Sequence, residues 1–180
     1  ELSKIPAGKV LINTINQHSY NVAQKDALFA EALINGDYLI PDGMSIVKVA
    51  KWLGCEVVPT DRIAERDLFQ YEMSRLNDKY SSGSKYRVFF MGSSEKVLAL
   101  IKERAANDYP NLEIITYSPP YKRNFTDEES KAMVDAINNA NPDLLWIGMT
   151  APKQEKWAYE HCNQLNINCH CVTIGAVFDF

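Results

Sequence analysis

An acidic residue stands at the turn between a short apolar strand and a helix. In the stretch YLIPDGMSIVKVAKWLG, from Tyr38 to Gly54, Asp42 follows Pro41 and precedes apolar residues at helical spacing. In an open α/β sheet the turns at the carboxyl ends of strands form the ligand crevice, so a carboxylate there is placed for proton transfer. An Asp at a helix start also accepts backbone N–H bonds as an N-cap. The sequence leaves both roles open for Asp42, and the two can coexist.

Polar residues and glycines also follow the other apolar stretches that predict strands. The full set comprises Thr14, Asn16, Asp42, Gly43, Gly92, Ser93, Gly148, Thr150, Lys153, Gln154, Gly175 and Asp179. If the strands are neighbours in one parallel sheet, these groups converge on one edge of it. Hydroxyls, amides and the free N–H groups of helix starts suit a phosphorylated or sugar-like ligand. Each residue also has an ordinary use as a cap, a tight turn or a solvated charge.

Apolar stretches alternate with helical patterns along the chain, and this alternation predicts the elements that position the polar set. Predicted strands cover 9–14, 38–41, 86–92, 112–118, 143–149 and 169–178. Predicted helices cover 18–36, as one long or two short helices, and 44–53, 62–79, 93–109, 126–140 and 151–165. Thr126 and Glu129 have the spacing of a capping box. Repeated strand–helix–strand units predict a single α/β domain over residues 1–180, a Rossmann-like parallel sheet flanked by helices.

Composition argues against several classes of protein. A chain of 180 residues, 46% of them hydrophobic, is long enough for one sizeable core. The net charge of -4 argues against a general nucleic-acid binder, which needs clustered Lys and Arg. No run of about 18 apolar residues predicts a membrane span, and the first residues lack the apolar centre of a signal peptide. We therefore expect a cytoplasmic protein that does not bind nucleic acid.

Cofactor and metal motifs are also missing from the sequence. No G-x-G-x-x-G follows a predicted strand and no P-loop motif occurs, which weakens the case for a nicotinamide cofactor or a P-loop enzyme. The four cysteines have no C-x-x-C spacing. Cys169 and Cys171 lie on one face of a predicted strand, with His170 on the other. We interpret both as buried, reduced thiols rather than as zinc ligands together with His161.

Five motifs occur in a fixed order along the chain: T-x-N at 14–16, PDG at 41–43, R-[IV]-A-x-x-D at 62–67, APKQEKW at 151–157 and G-x-x-F-D at 175–179. This order resembles that of the WecG/TagA/CpsF family of glycosyltransferases. The resemblance extends from about Val10 to Phe180, and APKQEKW in this order with PDG makes it specific. It implies inverting transfer of a sugar of N-acetylhexosamine type from a UDP-sugar to a polyprenyl-diphosphate-linked acceptor in bacterial cell-surface polysaccharide synthesis.

The same resemblance implies a setting for the reaction. The acceptor lies at the membrane surface, so we expect a cytoplasmic protein bound peripherally to the inner face of the cell membrane. We expect no metal and no other cofactor, and the sequence has no D-x-D pair of the kind that holds a divalent cation against a nucleotide diphosphate. A homo-oligomer is left open. Trp52, Tyr71 and Trp157 suit either a subunit interface or the core, and we favour the core.

Roles for individual residues follow from the motif match. Asp42 takes the place of the catalytic base that deprotonates the acceptor hydroxyl as it attacks the anomeric carbon. Its place at a helix start leads us to expect a low pKa. Thr14 and Asn16 match positions near the reacting sugar, and Gln154 matches a sugar-contacting glutamine. The remaining substrate-binding candidates are Gly43, Arg62, Gly92, Ser93, Gly148, Lys153 and Asp179.

Two departures from the family pattern affect these expectations. Glu65 and Arg66 stand where the family often has glycine and a variable residue, which leaves the donor sugar open. We also expect the family's basic, membrane-docking C-terminal segment to lie beyond residue 180, so that the 180-residue chain binds donor weakly and turns over slowly. Two alternatives remain: a nucleotide-sugar binding module without catalysis, in which Asp42 is only a cap, and a nucleotide-cofactor oxidoreductase.

Overall fold

Six strands and seven helices form the part of the chain that the structure describes, with one or two helices after each strand except the last. The structure is a computed structural model, and it describes residues 2–55, 60–79 and 84–175. The strands are β1 (Val10–Ile15), β2 (Tyr38–Pro41), β3 (Tyr86–Gly92), β4 (Leu112–Tyr117), β5 (Leu144–Gly148) and β6 (His170–Thr173). The helices are α1 (Gln17–Ala23), α2 (Ala27–Ile34), α3 (Met44–Trp52), α4 (Glu65–Asp78), α5 (Glu95–Asp108), α6 (Asp127–Ala140) and α7 (Lys153–His161).

The described strands pair in parallel as one sheet, in the order β2-β1-β6-β5-β3-β4. Thr14 pairs with Ile40, and Gly92 pairs with Gly148, so neighbouring strands end at nearly the same level. This arrangement confirms the predicted α/β fold with a parallel sheet flanked by helices. Because the strands are parallel, the residues that follow them meet at one edge of the sheet, which we call the carboxyl edge.

Helices cover both faces of the sheet because the strands are apolar on both sides. On β3, Val88 and Phe90 face one cluster with α4 and α5, whereas Phe89 and Met91 face the other with α6 and α7. Trp146 of β5 is fully buried. Phe90 of β3 is fully buried as well, and burying a phenylalanine side chain stabilises the fold by roughly 1.5–3 kcal/mol. The two clusters enclose the sheet between packed helices, so its carboxyl edge is anchored to the core on both faces.

Side-chain caps fix several helix starts. Asn16 caps α1 and Asp26 caps α2 by accepting hydrogen bonds from backbone N–H groups, and these caps divide the predicted 18–36 stretch into two helices. Ser94 caps α5, as one of the two serines predicted for that role. Thr126 and Glu129 form the predicted capping box of α6. Caps of this kind each stabilise a helix by about 1 kcal/mol.

A buried polar cluster lies beneath the other end of the sheet. Glu72 of α4 is fully buried, and it accepts hydrogen bonds from Arg75 Nη2 at 2.5 Å and from His170 Nδ1 at 3.0 Å. His170 Nε2 also donates to the carbonyl of Pro6 at 2.9 Å. Burial opposes ionisation of both groups, but the pairing outweighs it: the pKa of Glu72 is lowered, and the pKa of His170 is raised. The cluster therefore ties β6, α4 and the N-terminal segment together.

Burial confirms the expectation for two of the cysteines. Cys169 and Cys171 are buried in the cluster with α6 and α7, while His170 faces the α4 side. Burial raises the pKa of the Cys169 thiol to about 12, so it stays protonated. Among the described residues no group of three or more His, Cys, Asp or Glu side chains is placed to hold a metal ion.

The three aromatic residues predicted to lie in the core differ in their exposure to solvent. Trp157 is buried, as predicted, and Tyr71 is partly buried. Trp52 is 84% exposed, so its predicted core position was wrong. The reason is the direction in which α3 packs: Val47 is the residue that this helix buries, and Trp52 lies on the outward side. In the described part of the chain no helix combines the length and apolar character needed to cross a bilayer.

Candidate functional site

The carboxyl edge carries most of the predicted site residues. With neighbouring strands about 4.8 Å apart, the edge from β2 to β3 extends over roughly 20 Å. The connection after β5 leads to α7 on one face, and the connection after β3 leads to α5 on the other. Such a reversal opens a crevice in which ligands of open α/β sheets bind. Predicted residues lie on both sides of it, with Asp42 toward one end and Gly92 toward the other.

Asp42 lies at the end of β2 and is not the N-cap of α3. Its backbone N–H donates to the carbonyl of Ile15 at 2.8 Å, which continues the β1–β2 pairing by one residue. The N-cap is Gly43, whose φ of 136° favours glycine, and α3 has no side-chain cap. The cap interpretation of Asp42 was therefore wrong. Its half-buried carboxyl group remains available to a ligand.

The surroundings of Asp42 raise its pKa, contrary to the low value expected from the sequence. Partial burial is the main cause, and the charge of Asp67 adds to it. The exposed guanidinium of Arg62 and a hydrogen bond with the Asn16 side chain act in the opposite direction. The expectation failed because it assumed stabilisation of the carboxylate by helix N–H groups, which Asp42 does not contact. A raised pKa makes a carboxylate a stronger proton acceptor.

A second carboxylate, that of Glu65, lies beside Asp42. Ile63 N–H donates to the carbonyl of Pro41 at 3.0 Å, which holds the segment before α4 against the end of β2. Glu65 Oε1 then accepts a hydrogen bond from Thr14 Oγ1 at 2.8 Å, and Oε2 accepts one from Gly175 N–H at 3.3 Å. Burial and the charge of Asp42 raise the pKa of Glu65. Because the Thr14 hydroxyl donates to Glu65, its oxygen keeps lone pairs that can accept a further hydrogen bond.

A third carboxylate, that of Glu155, lies deeper in the same edge. Gln154 and Glu155 are both almost fully buried at the start of α7. The Gln154 side chain accepts from the N–H of Met149 at 2.9 Å and donates to Glu155 Oε1 at 2.9 Å. Glu155 Oε2 has no hydrogen-bond partner among the described residues. Burial raises the pKa of Glu155 to about 7, and the charge of Glu65 contributes to the increase.

The edge is tightest where β3 and β5 end. A Cβ atom on Gly92 would lie 1.9 Å from the carbonyl oxygen of Gly148, and the φ of Gly92 is 133°. Glycine is therefore required there by both the close approach and the backbone conformation. Ser93 follows with a left-handed φ of 56°, and its carbonyl accepts a hydrogen bond from Ser118 Oγ at 2.8 Å. Strained residues of this kind occur often at ligand sites.

Lys153 points away from the Asp42 group. Its ammonium donates to the carbonyl of Lys122 at 2.5 Å and lies 3.7 Å from the centre of the Phe125 ring. Burial lowers the pKa of Lys153. The structure therefore divides the predicted residues into two groups, with Thr14, Asn16, Asp42, Gly43 and Arg62 in one and Gly92, Ser93, Gly148 and Lys153 in the other. Gln154 lies beneath the edge, and Asp179 falls outside the described residues.

The residues that the sequence did not select are two glutamates, the half-buried Glu65 and the buried Glu155. Glu65 appeared only as a departure from a family pattern, and Glu155 was hidden beside Gln154 in APKQEKW. The usable signal was position: each stands in the first turn of a helix, Glu65 in α4, which follows α3, and Glu155 in α7, which follows β5. A separate groove of about 830 Å³ lies between α4 and α5, lined by Phe69, Ile101 and others, and it contains none of the predicted site residues.

Comparison with known proteins agrees with the resemblance that the sequence motifs indicate. A family model described as "Glycosyl transferase WecG/TagA/CpsF family" matches residues 2–180. A Bacillus spizizenii protein named N-acetylglucosaminyldiphosphoundecaprenol N-acetyl-beta-D-mannosaminyltransferase is 29% identical over 157 residues, or 87% of this chain and 56% of that protein. A Bacillus subtilis protein of the same name is 26% identical over 169 residues, covering 94% of this chain and 61% of the relative. A Staphylococcus aureus protein of that name is 26% identical over 155 residues, 86% of this chain and 56% of the relative. The chain thus spans a little over half the length of these curated relatives.

Proposed function

The chain belongs to the WecG/TagA/CpsF family of glycosyl transferases, and from this premise we propose that it transfers an N-acetylhexosamine from a UDP-sugar to a polyprenyl-diphosphate-linked acceptor with inversion. The observation that supports the proposal most directly is the position of Asp42. A half-buried carboxyl group with a raised pKa lies at the carboxyl edge, between the side chains of Asn16 and Arg62. Inversion needs one carboxylate on the attacking face of the sugar.

In the proposed reaction, Asp42 accepts the proton of the acceptor hydroxyl as its oxygen attacks the anomeric carbon. The bond between the anomeric carbon and the diphosphate oxygen breaks, and UDP leaves with the electron pair. Arg62 is an exposed cation beside Asp42 and suits a diphosphate oxygen. The lone pairs of Thr14, fixed by its bond to Glu65, suit a hydroxyl or amide N–H of the sugar.

The relatives' names support the choice of substrates. They describe transfer of N-acetylmannosamine to N-acetylglucosaminyldiphosphoundecaprenol. We propose the same acceptor class here, and therefore a protein bound peripherally at the inner face of the membrane. Glu65 stands against Thr14 where the family often has glycine, so the donor is to be chosen by experiment. We further propose that transfer needs no divalent metal, since the sequence lacks a D-x-D pair.

The test is a transfer assay with matched variants. Wild-type protein is incubated with UDP-N-acetylmannosamine or UDP-N-acetylglucosamine and a short prenyl-diphosphate acceptor carrying N-acetylglucosamine, with and without EDTA. We expect product in both conditions, and Asp42→Asn should lower kcat by about 100-fold or more. Asp78→Asn is the matched control, because Asp78 is exposed at the opposite end of α4. Equal rates for Asp42→Asn and wild type would contradict the role of Asp42.

A binding experiment separates the proposal from its two alternatives. Ligands that bind only the folded protein raise its melting temperature by mass action. Stabilisation by uridine nucleotides together with transfer supports the proposal. Stabilisation by the same nucleotides with no transfer favours the binding module. Stabilisation by NAD alone favours the oxidoreductase, for which the relatives reported above offer no support.

A further inference from the structure

The outer face of α3 is apolar and basic at once. Trp52 is 84% exposed, and Val49 and Met44 are 47% and 42% exposed. Leu53, which follows the last helical residue, is 64% exposed. Lys48 and Lys51 are exposed among them. Met44, Lys48 and Trp52 stand at i, i+4 and i+8, so they share one stripe of the helix surface. We call Met44, Lys48, Val49, Lys51, Trp52 and Leu53 the α3 outer face.

This composition is unusual for a helix on the surface of a soluble domain. From Gly43 to Cys55 the sequence contains two lysines and no acidic residue, although the whole chain has a net charge of -4. The attraction of this face to anions is therefore local and not a property of the whole molecule. Trp at an exposed helix end, leucine beside it and lysines with long apolar stems are the residues that favour a lipid–water interface.

The position of α3 connects this face to the candidate site. The helix begins two residues after Asp42, and Gly43 between them is its N-cap. A helix of nine residues is about 13 Å long, so the outer face extends from beside the site to Trp52 at its far end. Val47 packs inward on the other side of the helix and fixes its rotation. A surface that holds α3 therefore also sets the distance of Asp42 from that surface.

We propose that the α3 outer face docks on an anionic lipid surface, with Trp52 and Leu53 at the level of the headgroups and Lys48 and Lys51 against their negative charges. The inference deepens the proposed function, on which it rests for its purpose: it places the base at the depth where a lipid-linked diphosphate lies. The lysines, the exposed tryptophan and the lack of acidic residues support a lipid surface over a second copy of the chain, because like charges would then face each other.

Vesicle binding tests the proposal directly. Purified protein is titrated with phosphatidylcholine vesicles that contain or lack phosphatidylglycerol, and bound protein is measured by sedimentation. Each lysine near an anionic surface strengthens membrane binding by about fivefold, so the double variant Lys48→Gln/Lys51→Gln should bind vesicles about 30-fold more weakly. Trp52→Ser/Leu53→Ser should weaken it further. Lys102→Gln/Lys131→Gln, on exposed parts of α5 and α6, and Tyr121→Ser are matched controls and should bind as wild type does.

Tryptophan fluorescence gives a second, site-specific measurement. Of the three tryptophans, Trp146 and Trp157 are buried, so a blue shift on adding anionic vesicles reports Trp52. A blue shift that is absent from Trp52→Phe supports docking. No binding of wild type, or equal binding of wild type and both double variants, would overturn it. Docking would also be overturned if Trp52→Ser/Leu53→Ser changed the oligomeric state of the protein and left vesicle binding unchanged.

Docking and catalysis are separated by a crossed design. Asp42→Asn should bind vesicles as wild type does, because Asp42 is not on the outer face. Trp52→Ser/Leu53→Ser should keep its rate on a water-soluble acceptor and lose it on an acceptor embedded in vesicles. If wild type binds vesicles but transfers no sugar, the proposed function fails and docking stands. If it transfers sugar equally to both acceptors without binding vesicles, docking fails and the function stands.

Discussion

Replacing Glu155 by glutamine should make the protein more stable above neutral pH. Glu155 is 2% exposed, and its Oε2 atom has no partner among the described residues. Burial raises its pKa from the ordinary 4.5 to about 7, so the folded protein holds a proton on Glu155 that the unfolded chain has already lost. Each pKa unit corresponds to about 1.36 kcal/mol, and the shift therefore costs about 3 kcal/mol once Glu155 must ionise.

The direction of the pH dependence follows from proton binding. Between the unfolded and folded pKa values the native state binds more protons than the unfolded state, so the free energy of unfolding falls as pH rises. The stabilisation is complete below 4.5 and is lost as pH rises through about 7. Glutamine keeps the oxygen that accepts from Gln154 and does not titrate. Near pH 5 the variant should match wild type within about 1 kcal/mol, and near pH 8 it should exceed wild type by about 3 kcal/mol.

Urea unfolding followed by tryptophan fluorescence measures this difference. Wild type and Glu155→Gln are compared across the pH range, and Glu160→Gln, an exposed residue of the same helix, serves as the control. The difference between variant and wild type removes the pH dependence of other groups. Parallel pH profiles for Glu155→Gln and wild type would refute the assignment of a raised pKa to Glu155.

Two further substitutions test other parts of the structure. Gly92→Ala should lower the free energy of unfolding by about 3 kcal/mol or more, because its Cβ would lie 1.9 Å from the Gly148 carbonyl oxygen. Gly54→Ala is the control and should lower it less, because the space around Gly54 is open. Urea unfolding of both variants measures the two losses. Glu72→Gln should cost about 3 kcal/mol in mild acid by leaving Arg75 and His170 without their buried partner. The ion pair between Glu72 and His170 stabilises the wild type most at mildly acid pH. It weakens as pH falls through the lowered pKa of Glu72 and as pH rises through the raised pKa of His170. If the stability difference between Glu72→Gln and wild type did not change with pH, this account of the pair would be refuted.

The sequence was sufficient to predict the strands, the helices and the edge of the sheet at which the candidate site residues lie. Strand and helix patterns are local, and Ser94 and Thr126 mark helix starts by side-chain chemistry that needs no knowledge of the fold. Parallel strands then force the residues that follow them to one edge. This is why Thr14, Asn16 and Asp42 are found together, although β1 and β2 are separate in the sequence.

The remaining features depend on contacts that sequence spacing does not determine. The pKa of Asp42 was misjudged because the cap of α3 is the backbone of Gly43, a difference of one residue. Trp52 was misplaced because the rotation of α3 is decided by what Val47 packs against. Glu65 and Glu155 became neighbours of the site through the order of the strands, which brings α4 and α7 to the same edge from distant parts of the chain.

The strand order also determines when this edge can assemble. β6, the last described strand, lies between β1 and β5, and Val10 of β1 pairs with His170 of β6. The second edge of β1 can therefore pair only after β6 has been synthesised. Without β6, the described strands can pair only as two half-sheets, one ending at Thr14 and Asp42 and the other at Gly92 and Gly148. Contacts so distant in sequence form slowly, because the loop entropy is lost before they stabilise the fold. Without β6, the end that carries Asp42 and the end that carries Gly92 therefore belong to separate half-sheets, and the single carboxyl edge that unites them forms only when β6 pairs with both.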